Sequence, residues 1–267
     1  MAEKEKSNRQ LSVRMFEDGN RVRFATPVDK QGRDWWLERF YHPHNLTPEA
    51  MGSLLTKSVA GEKRIKYEFI DGVGQAFRLR VEGALSGVGD IWFVERTFEL
   101  QGIFFNADEM FIPSPDRAAG HGRRVMGDLI DAARSVGADR IKIQARNIGR
   151  YAWLRMGFRP DAGSWRDMRK NLVFALHGFR DTLGPGLVDQ LSGMIARGQP
   201  DTANVVASFG QAVPSGQLRD QFGQPMLVSL GKALILEYAG DWDGEFVLAD
   251  PEMTRVATDY LKGGEHD

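Results

Sequence analysis

The chain has no cysteine among its 267 residues. Disulfides, thiolate zinc sites and a cysteine nucleophile are thereby excluded. Long apolar runs are lacking as well, since no stretch approaches the roughly 18 consecutive apolar residues that a membrane helix needs. The first residues, Met1-Ala2-Glu3-Lys4-Glu5-Lys6, are polar with no apolar region behind them. No secretory signal is therefore expected, and cytoplasmic residence is the default. Histidine is sparse: His42, His44, His121, His177 and His266 form no pair one helical turn apart with a glutamate between, so no metal site is expected. Neither Gly-x-Ser-x-Gly nor a phosphate-binding Gly-Lys-Ser/Thr occurs. Net charge is close to nil at −1, which offers no global reason to expect nucleic acid as partner.

Hydrophobic residues make up 42% and charged residues 27%, enough for one large domain with a sizeable core, or a domain with an appendage. The small net charge hides an asymmetry. Arg117 to Lys170 holds 13 Lys and Arg against 5 Asp and Glu, whereas Asn171 to Asp267 holds 6 against 13. A basic segment of this kind suits an anion, and an acidic one is most simply a solvated surface.

Along the chain, Leu11 to Phe16 and Arg21 to Phe24 flank Asp18-Gly19 and predict a hairpin. The aromatic cluster Trp35-Trp36-Leu37-Glu38-Arg39-Phe40-Tyr41 reads as core filling or a covered sheet edge, ahead of the competing reading as a substrate pocket. Thr47-Pro48-Glu49 starts a helix expected to reach about Lys57. Two extended segments follow, Ala76 to Leu85 and Asp90 to Phe105, with a bend or bulge at Gln101-Gly102 in the second. Glu109-Met110-Phe111-Ile112 is a further strand. Val125, Met126, Leu129, Ile130 and Ala133 recur at helical spacing up to Gly137. Arg140 to Ala145 alternates as a strand, a helix is expected from about Ile148 to Met156, and Trp165 to Leu172 reads as a last strand. From Val173 on the chain is expected to be a mainly helical appendage, with helices near 174–183, 186–197, 202–209 and 250–261; Pro225 to Leu236 is strand or helix.

The stretch Arg117-Ala118-Ala119-Gly120-His121-Gly122-Arg123-Arg124 lies between a strand and a helix start. Backbone N–H groups there lack intrahelical partners and the helix dipole favours an anion. Three positions of the stretch, Arg117, Gly120 and Gly122, match the pyrophosphate loop Gln/Arg-x-x-Gly-x-Gly/Ala. Downstream, Ala145-Arg146-Asn147 and Trp153-Leu154-Arg155-Met156-Gly157-Phe158 match a strand, a splayed break and a helix ending in aromatic-x-x-x-Gly-Phe. Asp167-Met168-Arg169-Lys170-Asn171-Leu172 looks like a closing strand. On these motifs residues 76–172 resemble the GNAT superfamily of acyl-CoA-dependent N-acetyltransferases.

The resemblance implies an α+β fold: a mixed, mostly antiparallel sheet flanked by helices, with residues 1–75 attached to the 76–172 core and 173–267 as the appendage. It implies transfer of an acyl group, acetyl by default, from acetyl-CoA or another acyl-CoA to a small-molecule or protein amine. The cofactor-binding residues it implies are Ile112, Arg117, Ala118, Ala119, Gly120, His121, Gly122, Arg123 and Asn147. Arg124, Arg146 and Arg150 are either further phosphate contacts or solvated helix faces. Amine attack on the thioester needs a base and an acid for the departing thiolate. Glu109 is the candidate base, with Asp108 second and a paired surface carboxylate as the competing reading. The family's tyrosine falls at Trp153, which has no ionisable hydroxyl, so either Tyr151 is recruited as the acid, or the thiolate leaves without a protein acid, or no transfer is catalysed. The alternative is an inactive GNAT-fold protein with a structural, assembly or CoA-sensing role; a protein partner for the appendage accompanies it, and nucleic acid ranks last.

Overall fold

A computed structural model describes residues 14–17, 19, 21–70, 76–84, 91–99, 104–113, 120–220 and 222–263. The chain divides into two compact units, Met1–Ile141 and Lys142–Asp267. No helix among the described residues is long and apolar enough to cross a membrane.

The first unit is built on strands β1 (Val22–Phe24), β2 (Lys63–Ile70), β3 (Ala76–Ala84), β4 (Ile91–Glu99) and β5 (Phe104–Phe111), in that spatial order. Strands β2 to β5 are antiparallel neighbours, and β1 runs parallel to β2. The mixed, mostly antiparallel sheet expected from the sequence is thus present here. Its β3 alternates as anticipated, with Phe77, Leu79 and Val81 buried and Arg78 and Arg80 turned toward solvent.

Two expectations for this region need correction. Among the described residues the hairpin before residue 25 is not formed: Arg14 and Met15 are helical and β1 pairs in parallel with β2, while Leu11 to Val13 and Asp18 lie outside the described residues. Phe16 is drawn into the aromatic core instead, 5.6 Å from the Phe24 ring and 6.0 Å from that of Trp36. Nor is Asp90 to Phe105 one strand, because Phe98 pairs with Phe105 and Glu99 with Phe104 across two antiparallel strands. The bend anticipated at Gln101-Gly102 lies outside the described residues. Strand β2 carries no motif in the sequence reading.

Helix α1 (Lys30–Trp36) starts at Asp29, whose Oδ1 accepts from Gly32 N at 2.8 Å, and continues through a π-helical turn (Leu37–Tyr41) into the short α2 (His42–His44). Trp36 and Phe40 are fully buried and pack with Tyr67, Phe77 and Phe98, so the aromatic cluster is core, as the plainer reading had it. Helix α3 (Pro48–Leu54) begins as anticipated, with Thr47 Oγ1 accepting from Ala50 N at 3.1 Å. It stops before Lys57. The following turn is tied to helix α4 (His121–Ser135) by the buried Asp128, which accepts from Ser58 N at 2.8 Å and Ser58 Oγ at 2.6 Å, and by Lys57 donating to Asp131 at 2.5 Å. That hydrogen bond raises the Lys57 pKa above its ordinary value.

The second unit takes up most of β6 (Arg140–Ala145), then α5 (Gly149–Arg155), β7 (Arg159–Pro160), α6 (Ala162–His177), α7 (Arg180–Leu183), α8 (Pro185–Arg197), α9 (Thr202–Ala207), β8 (Ala212–Arg219), β9 (Pro225–Ser229), α10 (Leu230–Tyr238), β10 (Trp242–Val247) and α11 (Pro251–Lys262). Strand β10 lies between β6 and β7 and is antiparallel to β7, while β8 and β9 make a separate antiparallel pair. The helices anticipated at 186–197, 202–209 and 250–261 fall near α8, α9 and α11, but the one at 174–183 is divided between the end of α6 and α7; Pro225 to Leu236 proves to be both candidates in turn, β9 then α10.

The strand anticipated at Trp165 to Leu172 is instead the middle of α6. Asp161 Oδ1 caps the helix at Ser164 N, and the buried residues Trp165, Met168, Leu172, Ala175 and Leu176 repeat at helical spacing. The Met168-Arg169-Lys170 segment therefore closes no sheet; β10, far later in the sequence, lies in that sheet instead.

Candidate functional site

In the first unit, β5 delivers Glu109 and α4 delivers the glycine turn. Glu109 is exposed and sits directly across from Glu95 on β4. The ladder slips beside it: Glu95 pairs with Glu109 but Thr97 with Asn106, so β5 carries one residue more than β4 and bulges there. Of Asp108, the second candidate base, only the backbone is described, as part of β5.

Arg117, Ala118 and Ala119 lie outside the described residues. Gly120 is described, and it is the N-cap of α4 at φ 69°, a left-handed conformation that glycine adopts without a Cβ penalty. Arg124 N donates to Gly120 O at 3.2 Å, so the 15-residue helix begins directly at the glycine and its positive end faces the turn. Gly122 packs on β5 and the chain after it: a Cβ there would stand 3.4 Å from Ile112 Cδ1 and 3.6 Å from Met110 Cε. Arg124 Nη2 donates to His121 Nδ1 at 2.8 Å, which places the ring proton of a neutral imidazole on Nε2.

In the second unit, the break after β6 is real. Asn147 is exposed and holds φ 51°, a left-handed turn that asparagine tolerates, so the chain leaves the strand sharply before α5. Its carbonyl accepts from Arg150 Nε at 3.1 Å, while Arg150 Nη2 donates to Leu236 O at 2.9 Å. Arg150 is thus engaged in holding the fold locally. Arg146 is exposed and donates to Gln144.

Trp153 is 8% exposed and packs within the second unit against Phe158. Tyr151, half-buried, projects elsewhere: its hydroxyl oxygen accepts from Arg155 Nη1 at 2.8 Å, which leaves its O–H able to donate to another group. Gly157 adopts φ 85°, and a Cβ there would lie 2.9 Å from Met253 O, so the Gly-Phe element is required by close packing of α11 on α5's end. Asn204 Nδ2 bridges Leu154 O at 2.7 Å and Phe158 O at 2.9 Å across the same turn.

Sequence reasoning missed two features beside Glu109, namely the bulge and the buried Arg96 on β4. A signal for the second existed, because Arg96 interrupts the alternating apolar row Trp92, Val94, Phe98. Among the described residues no group of three His, Asp or Glu side chains is placed to hold a metal ion.

No family model and no curated protein matches this chain. Among solved structures it is similar to the crystal structure of nourseothricin acetyltransferase, at 21% identity and a TM-score of 0.28, over 34% of this chain and 55% of that one. The likeness therefore spans about half of that protein's length. A similarity that loose fixes neither fold nor chemistry.

Proposed function

We propose that the chain is an acyl-CoA-dependent N-acyltransferase of the GNAT type, with acetyl-CoA as the default donor and an amine as acceptor. One observation carries the reading: Gly120 at φ 69° turns the chain directly into the N-terminus of α4, with Gly122 packed against Met110 and Ile112. A turn of this kind presents successive N–H groups and the positive end of a helix dipole, the arrangement a pyrophosphate needs. Arg117, Arg123 and Arg124 supply charge of the matching sign. The left-handed break at Asn147 and the glycine turn at Gly157 support the second half of the motif, and β10 takes the closing-strand role that residues 165–172 do not fill.

In this reading Glu109 takes a proton from the incoming ammonium, through water or directly, and the free amine attacks the thioester carbonyl and expels the thiolate. The thiolate of coenzyme A is a good leaving group, and Tyr151 keeps an O–H with which to protonate it. Cytoplasmic residence accompanies the proposal.

A second reading is favoured by Trp153. With that side chain used for packing, a GNAT-type protein that binds acyl-CoA without turnover, as a sensor or assembly factor, fits the same turn. Titration calorimetry with acetyl-CoA tests the shared premise, with saturable binding expected; no heat at millimolar ligand sinks both readings. Thiol release against a panel of amines then separates them: turnover supports the transferase, and binding without turnover supports the sensor.

A further inference from the structure

The core-facing row of β4 reads Trp92, Val94, Arg96, Phe98, with exposures of 2%, 1%, 2% and 0%. Three of these side chains are apolar and one is a guanidinium. Burying a guanidinium is expensive unless its donors are well used, so a position that an aliphatic residue would fill more cheaply demands an explanation. Arg96 Nη1 donates to Glu95 O at 2.7 Å and to Glu109 O at 2.9 Å. Those carbonyls belong to facing residues of β4 and β5, and they sit where the ladder slips. A bulge disturbs the regular ladder, and here a side chain reaches in from the core to bond a carbonyl on each of the two strands beside it.

We propose that Arg96 is a positioning residue for Glu109. It clamps the Glu109 carbonyl from the buried side of the sheet. The peptide plane of the bulged strand is thereby held, and the Glu109 carboxylate is aimed from the opposite, solvent-facing side. Arg96 touches no substrate in this scheme and acts only through Glu109. The inference rests on the acyltransferase reading, in which Glu109 is the base.

The test combines Arg96→Met, Arg96→Lys, Glu109→Gln and the double variant Arg96→Met/Glu109→Gln in the full chain. Thiol release from acetyl-CoA and amide hydrogen exchange at 109–111 are both measured. Arg96→Met, close in volume and apolar like its row, is expected to lower kcat about 10- to 100-fold, as misplacing a reacting group does, with the KM for acetyl-CoA within about twofold. Exchange at 109–111 is expected to quicken. The double variant should be no slower than Glu109→Gln alone, because the two residues act as one unit. A purely structural arginine would lower the yield of folded protein but leave kcat per folded molecule intact, and any loss would multiply in the double variant; either result overturns the proposal. Should Arg96→Met fail to fold, Arg96→Lys carries the same cycle, with partial retention of kcat expected and a wild-type kcat overturning it. If the wild type releases no thiol, the acyltransferase reading fails, and quickened exchange in Arg96→Met then marks Arg96 as a backbone clamp with no catalytic task. Unchanged exchange overturns the clamp itself, whatever the turnover.

Discussion

Trp153 meets Phe158 edge to face, their ring centroids 4.6 Å apart and their planes at 60°. Phe158 in turn lies 5.2 Å from Phe246 of β10, so the tryptophan belongs to an aromatic chain running into the sheet of its unit. Position 153 is thus used for packing, and an indole offers no ionisable hydroxyl for proton transfer. Trp153→Ala is expected to lower stability by about 3–5 kcal/mol, as large-to-small core changes do, and Trp153→Tyr by much less. Chemical denaturation checks both, and an Ala variant as stable as wild type would contradict the packing role.

Glu109 is exposed on β5, and its removal leaves no buried group stranded. Glu109→Gln is therefore expected to keep the melting temperature within a degree or two while reducing thiol release by about 10²- to 10⁴-fold, the usual contribution of a general base. Unchanged turnover would remove Glu109 from the mechanism.

Gly120 and Gly157 both adopt positive φ, yet they differ in what surrounds them. Among the described residues a methyl at Gly120 would meet Arg124 Nη1 at 3.6 Å, whereas one at Gly157 would meet Met253 O at 2.9 Å and Val256 Cβ at 3.1 Å. Gly120→Ala should then cost about 1–2 kcal/mol from backbone strain alone, and Gly157→Ala distinctly more, because backbone must move as well. Acetyl-CoA binding by calorimetry should weaken in Gly120→Ala beyond what its stability loss explains.

Asp250 caps α11 by accepting from Met253 N at 3.0 Å and Glu252 N at 2.9 Å, and it pairs with Arg159 at 2.8 Å. The backbone hydrogen bond from Met253 is the largest cause holding its carboxyl below the ordinary value of 3.8, with the Arg159 charge adding to it. A depressed carboxylate stabilises the fold above its unfolded value and loses that contribution as pH falls through the lower, folded one. Asp250→Ala should cost about 1 kcal/mol near neutrality, and melting temperatures recorded from pH 7 downward should begin to converge with wild type below about pH 4 and meet it once pH has fallen through the lower, folded value. A gap that persists at pH 2 would show that the charge is not the source.

Local signals carried much of this molecule. Thr47-Pro48-Glu49, the helical repeat from Val125 to Ala133 and the alternation of Phe77 to Val81 each state their structure within one or two turns of chain, because capping and side-chain periodicity act over a few residues. The placement of Gly120 between a strand and a helix was legible for the same reason. Misreadings arose where the window was too short or the partner too distant. Six residues from Asp167 to Leu172 pass for a strand, but the repeat from Trp165 to Leu176 is a helix's. In place of the N-terminal hairpin, Phe16 packs beside Trp36 and β1 pairs with β2, partners too distant in sequence for a local pattern to show.

The sequence by itself determined the helix starts at Thr47 and Asp250, the aromatic core around Trp36 and Phe40, the glycine turn at Gly120 and the absence of thiol chemistry. Only the tertiary structure decided that Trp153 packs on Phe158, that β10 lies between β6 and β7, and that Arg96 reaches from the core to the carbonyl of Glu109. Those three are contacts between residues or strands brought together by packing, and strand pairing and core burial are set by the whole unit rather than by any local pattern.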